Sequence, residues 1–137
     1  MRIRGRAVRG LGVGARYVSM REYREWLGGL LGCTPYPGTL NLHTSVDWRL
    51  LAACCEPLVA RPGGGLGAVY AWRGSVAGRR VLVIRPLLSA HPPVVLELVA
   101  CGRLGAGVGE VVEVEVECRG AGPTPCASSP SADPCSY

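Results

Sequence analysis

Thr39 and Asn41 stand two residues apart behind a turn built from Pro35, Pro37 and Gly38, and His43 follows them. From Thr39 onward the pattern has period two. Leu40 and Leu42 face one side of a strand, and Thr39, Asn41 and His43 face the other. A hydroxyl and an amide oxygen on one surface are hard, uncharged donors of the kind magnesium accepts. They hold such an ion well only when a ligand, for example a nucleotide's phosphates, brings the negative charge. The plainer reading is a polar strand face after a Pro-Gly turn. Glu97 is the second candidate. It borders an apolar stripe in Pro93–Cys101, which is expected to be a short helix with Pro93 at its first position. A carboxylate there is either a solvated flank or a half-buried general base with a raised pKa. The third candidate is the run Gly10, Leu11, Gly12, Val13, Gly14, Ala15, whose backbone N–H groups can cradle phosphates.

That glycine run also fits a loose G-x-G-x-x-A dinucleotide pattern. Arg16 to Ser19 read as extended rather than helical, and no acidic residue lies about 20 positions on to hold a ribose, so a Rossmann unit is disfavoured. His91 precedes two prolines and is expected to be structural, with a phosphate or other ligand contact as the alternative.

Several elements must position these groups. Arg2–Val8 reads as a first strand with a basic outer face. Ser19 and Glu22 form a capping box for a helix whose apolar stripe is Tyr23, Trp26, Leu27, Leu30 and Leu31, closed by Gly32. Asp47–Cys55 is ambiguous, although Asp47 can cap a short turn. Arg61–Gly65 reads as a flexible loop. Leu66–Trp72 is a strand candidate, with Gly74 near its turn. Arg79–Arg85 is an apolar core strand, joined to Val76 by a hairpin through Ala77-Gly78. Gly102–Gly109 is a loop. Val112, Val114, Val116 and Cys118 alternate with Glu113, Glu115 and Glu117 in a half-exposed final strand. Residues 1–118 form one domain, and 119–137 form a low-complexity tail expected to be disordered.

The 15 basic residues are all arginine and the net charge is +5. Without a lysine there is no Walker A site, which excludes a P-loop kinase. A positive balance suits polyanionic ligands. No apolar run reaches the roughly 18 residues of a membrane span, and Met1-Arg2-Ile3-Arg4 lacks the apolar core of a signal peptide, so a cytoplasmic, non-membrane monomer is expected. None of the seven cysteines forms a C-x-x-C pair, which argues against a zinc ribbon or a thioredoxin-like site. Cys33, Cys101 and Cys118 read most simply as small core residues, with disulfides left open for a hyperthermophilic source.

The run Pro35-Tyr36-Pro37-Gly38-Thr39-Leu40-Asn41-Leu42, between an early glycine-rich loop and a later Ser89-x-His91-Pro92 and Leu96-Glu97-Leu98 segment, resembles the archaeal CTP-dependent riboflavin kinases from Arg2 to about Cys118. The resemblance implies a mainly β fold: a small six-stranded cradle-loop barrel with one amphipathic helix and one short helix. It implies transfer of the γ-phosphoryl of CTP to the ribityl 5′-hydroxyl of riboflavin, giving FMN and CDP. It further implies Thr39 and Asn41 on a single magnesium ion, and Gly10 to Ala15 together with Gly102, Arg103, Leu104 and Gly105 on the nucleotide. Ser89 and Glu97 would contact riboflavin or FMN, with Glu97 the candidate base. The chain departs from the family pattern with Arg9 for serine, Val13 for glutamate, Ser89 for threonine and Gly105 for arginine. Those departures keep a non-catalytic flavin- or nucleic-acid-binding barrel as the alternative. Nucleic acid is not an expected partner, since no helix-turn-helix, basic stripe or stacking-aromatic cluster is present.

Overall fold

A computed structural model describes residues 1–10, 18, 20–62 and 67–118. Seven strands and two helices follow in order: β1 (Arg2–Val8), α1 (Arg21–Leu31), β2 (Leu40–Thr44), α2 (Trp48–Cys54), β3 (Leu58–Ala60), β4 (Val69–Val76), β5 (Arg79–Pro86), β6 (Val95–Ala100) and β7 (Val111–Val116). Every pairing is antiparallel, in the order β3-β4-β5-β6-β2-β1-β7. A further β4–β7 pairing, Gly74 opposite Val116, closes six of the strands into a barrel and leaves β3 as an appendage on β4. Closure removes the free sheet edges that a six-stranded open sheet would expose. This is the mainly β, six-stranded barrel with two helices that the sequence led us to expect.

The barrel interior is filled by one alternating set of side chains, including Ile3, Leu42, Trp72, Val81, Val83, Leu96, Leu98, Val112, Val114 and Val116. A second core lies outside the barrel wall. There Tyr23, Leu27 and Leu31 of α1 bury Val69, Ala71, Leu82, Ile84 and Val99. The stripe predicted for α1 is therefore its packing face. Its cap differs from expectation: Met20 is the N-cap residue, with no side-chain capping bond, while Ser19 lies outside the described residues. Gly32 ends the helix as predicted.

The expected helix at Pro93–Cys101 is instead strand β6. One face of β6 fills the barrel and the other meets α1 and the candidate site, so all six residues are buried and no polar–apolar alternation betrays the strand. The short helix is α2, where Asp47 Oδ1 accepts from the Arg49 N–H at 2.8 Å. Gly74 lies inside β4, packed against the Glu115 carbonyl, and the turn itself is Ala77-Gly78, as the hairpin reading required. On β7, Glu113 and Glu115 pair with Arg2 and Arg4 of β1 across the exposed face. Such pairs contribute about 0–1 kcal/mol each.

Cys33 and Cys101 are joined by a disulfide, as are Cys55 and Cys118. The reading of Cys33, Cys101 and Cys118 as plain core residues is corrected accordingly. Barrel closure carries the end of α1 to the end of β6, where the Tyr36 N–H donates to the Ala100 carbonyl at 2.8 Å, and spacing along the chain does not reveal that approach. Among the described residues no helix is long and apolar enough to cross a membrane. The expected tail, 119–137, lies outside the described residues, as do 63–65 of the predicted flexible loop and Leu66 of the strand candidate that follows it.

Candidate active site

The outward alternation of β2 and β6 brings two of the predicted residues face to face. Leu40 and Leu42 point into the barrel core, which turns Asn41 outward, and the register sets Asn41 directly opposite Glu97. Ile84 of β5 flanks Glu97 on its other side. Thr39, just before β2, donates its hydroxyl to Glu97 Oε1 at 3.3 Å. Gly10 closes over this group: a Cβ placed there would lie 2.3 Å from Asn41 Nδ2, so only glycine permits the approach. The chain thus gathers Gly10, Thr39, Asn41 and Glu97, which are scattered along the sequence, at one place. Leu11 to Ala15, the rest of the predicted phosphate loop, lie outside the described residues.

Glu97 is 2% exposed. Burial pushes its carboxyl above the usual carboxylate range, against the smaller downward pull of the Thr39 hydroxyl and the Arg85 guanidinium. Glu97 is therefore buried with a raised pKa and is not a solvated flank. Asn41 is also buried, and among the described residues its Oδ1 has no hydrogen-bond partner. A buried carbonyl oxygen without a donor is costly unless something electropositive meets it. Next to the Thr39 hydroxyl, it is a pair of hard oxygen donors of the type a divalent cation takes. Among the described residues there is no cluster of three His, Cys, Asp or Glu side chains suited to a metal, so a tight all-protein site is not what these residues build.

Thr39 also stands at the edge of a cleft of about 190 Å³, lined by Tyr36, Gly38, Leu98, Ala100 and the segment Gly102 to Ala106. The predicted Gly102–Gly105 segment therefore shares a cavity with Thr39, which also bonds Glu97. Arg103 is exposed, its carbonyl held by Arg79 Nη1 at 3.1 Å, and Gly105 has φ 79°.

Ser89 lies in the β5–β6 connection. Its Oγ accepts from the His91 N–H at 3.1 Å, and it makes no hydrogen bond to Glu97. His91 is buried, its imidazole held below its ordinary pKa by that burial and by Arg85, and among the described residues its Nε2 has no partner. Two residues at this site were not singled out from sequence. Tyr36 lines the cleft from the Pro-Tyr-Pro turn. Arg85, 5% exposed, donates Nη1 to the carbonyls of Pro92 and Val95 and Nη2 to that of His91, all at 2.8–2.9 Å. An arginine ending an apolar run was visible in the sequence; its burial was not.

Residues 7–116 match the family CTP-dep_RFKase, described as a domain of unknown function, DUF120. Similar curated proteins include riboflavin kinases of three archaea. That of Pyrobaculum arsenaticum is 40% identical over 127 residues, covering 85% of this chain and 60% of its own length. That of Staphylothermus marinus is 36% identical over 101 residues, covering 73% and 76%. That of Pyrococcus abyssi is 32% identical over 122 residues, covering 82% and 57%. The chain thus spans about 60% of the length of several of these relatives. With its closed barrel and with the match running across nearly all of it, the chain belongs to the CTP-dependent riboflavin kinase family.

Proposed function

We propose that this domain transfers the γ-phosphoryl of CTP to the ribityl 5′-hydroxyl of riboflavin, producing FMN and CDP. The observation that carries the reading is the buried Glu97, opposite Asn41 and hydrogen-bonded to Thr39, which itself lines the cleft. The relatives' names supply the acceptor and the family name supplies the donor.

Phosphoryl transfer asks the protein for positioning, charge compensation and a proton acceptor. In this reading Gly10 and the loop that follows it hold the phosphates by backbone N–H groups. Gly102 to Gly105 hold the rest of the nucleotide in the cleft. Ser89 and Glu97 hold the flavin's ribityl chain. Glu97 takes the proton from the 5′-hydroxyl as its oxygen attacks the γ-phosphorus, and the bond from that phosphorus to the β-phosphate oxygen breaks to release CDP. A raised pKa makes Glu97 a stronger base than an ordinary carboxylate. Thr39 Oγ1 and Asn41 Oδ1 would hold one magnesium ion, which would offset the charge of the nucleotide phosphates. Because both donors are neutral, magnesium is expected to bind weakly to the free protein and tightly with CTP. Calorimetry with and without the nucleotide checks this, and tight binding in the absence of CTP contradicts the donor assignment.

The deciding assay incubates the protein with riboflavin, magnesium and either CTP or ATP, and separates FMN from riboflavin by chromatography. FMN with CTP alone supports the full reading. FMN with ATP alone keeps the kinase and rejects the donor. No FMN with either overturns the reading.

A further inference from the structure

Arg85 is a cation in a costly place. By alternation from Val81 and Val83 its side chain enters the end of the barrel, and it is almost wholly buried. Among the described residues no carboxylate comes within ion-pair distance of it. A buried guanidinium without a carboxylate is expensive to keep. What it does make is a fan of three bonds to backbone carbonyls at His91, Pro92 and Val95, which covers the second half of the β5–β6 connection. The first half is tied separately: the Leu87 N–H reaches Ala68 and the Ser89 N–H reaches Pro86. Between these two anchors Ser89 is locked by its own bond to the His91 N–H. The far end of the fan, Val95, lies two residues before Glu97 on the same strand.

From this geometry we infer that Arg85 is a positioning residue for the phosphoryl acceptor, fixing the Ser89–Val95 segment so that Ser89 and Glu97 present one surface to a polyhydroxylated substrate. The inference rests on the reading of Ser89 and Glu97 as the flavin side of the site. It goes beyond that reading because Arg85 reaches the substrate only through the backbone it holds. The arrangement suits this role, since a planar fork reaches the three carbonyls from two separate nitrogens, whereas an ammonium offers its three donors from one. The charged groups around the guanidinium are Asp47, Arg49 and Glu97.

The test compares the wild type with Arg85→Lys and Arg85→Met in the full chain. Riboflavin affinity is read from quenching of flavin fluorescence, and steady-state kinetics give separate constants for riboflavin and CTP. For Arg85→Lys, the riboflavin dissociation constant and KM should rise about tenfold, the effect of losing one or two well-made hydrogen bonds. KM for CTP should stay within about twofold. For Arg85→Met, the riboflavin constants should rise at least as far, again with KM for CTP within about twofold. Equal changes in both substrates' constants, or a loss of thermal stability with neither constant altered, would reduce Arg85 to a structural tie and overturn the inference. If Arg85→Met does not fold, Arg85→Lys decides alone through the riboflavin–CTP split. A wild type that binds riboflavin but does not phosphorylate it overturns the kinase reading while leaving the positioning role to stand or fall on affinity. A wild type that does not bind riboflavin overturns both.

Discussion

Replacing Glu97 by glutamine should make the protein slower and more stable at once. The side chain is isosteric, and its amide oxygen can still accept from Thr39, which now stands 3.3 Å from Glu97 Oε1. What is lost is the proton acceptor, so turnover should fall by about 10²–10⁴, equivalent to roughly 3–5 kcal/mol of barrier. The stability effect has the opposite sign. Burial raises the folded-state pKa of Glu97 above its unfolded value. Between those two values the native state keeps a proton that the unfolded chain has lost, so stability falls as pH rises through that window. Above it, each unit of difference costs the wild type about 1.4 kcal/mol, which glutamine does not incur. For a domain of this size that is roughly 3–8 °C in Tm per unit. The assays are FMN production at saturating substrates and thermal unfolding of both proteins from pH 4.5 to 8. Glu97→Gln should lie above the wild type at pH 8, and the gap should close toward pH 4.5. Turnover within threefold of the wild type would refute Glu97 as base. A gap that does not vary with pH would refute a buried carboxyl with a raised pKa.

Other outcomes follow from the same geometry. Gly10→Ala places a methyl group 2.3 Å from Asn41 Nδ2, so the amide must swing away; the magnesium concentration for half-maximal turnover should rise by about tenfold, at a stability cost of about 1–3 kcal/mol seen in denaturant titration. An unchanged magnesium requirement would show that Asn41 does not serve the ion. The Cys33–Cys101 bond closes 68 residues of chain, so Cys33→Ser should lower unfolding free energy by about 4 kcal/mol in the chain-entropy account. Reversible denaturation of that variant beside the reduced wild type checks the figure; equal stability of the variant and the oxidised wild type would refute it.

Much of the site was legible along the chain because strands have a strict period of two. Leu40 and Leu42 go inward, so Thr39 and Asn41 must share the opposite face, and no tertiary fact is needed for that. The same logic gave β1 and β7, helical spacing gave the packing face of α1, and the turn residues gave the hairpin at Ala77-Gly78. It failed at β6 for a physical reason. A strand buried on both faces carries no alternation, and Val-Val-Leu-Glu-Leu-Val-Ala reads equally well as a buried helix. The family itself was legible from motif order, and the barrel came with it rather than from the strand inventory. Only the closed sheet decided the rest. It set Asn41 opposite Glu97 across 56 positions of sequence and buried the carboxylate, which raises its pKa. It brought Gly10 against the amide, drew Cys33 to Cys101, and placed an arginine from the end of an apolar strand under three carbonyls of the Ser89 connection. Proximity and desolvation are properties of the folded sheet, since both depend on which strands become neighbours, and residue type and spacing do not encode that locally.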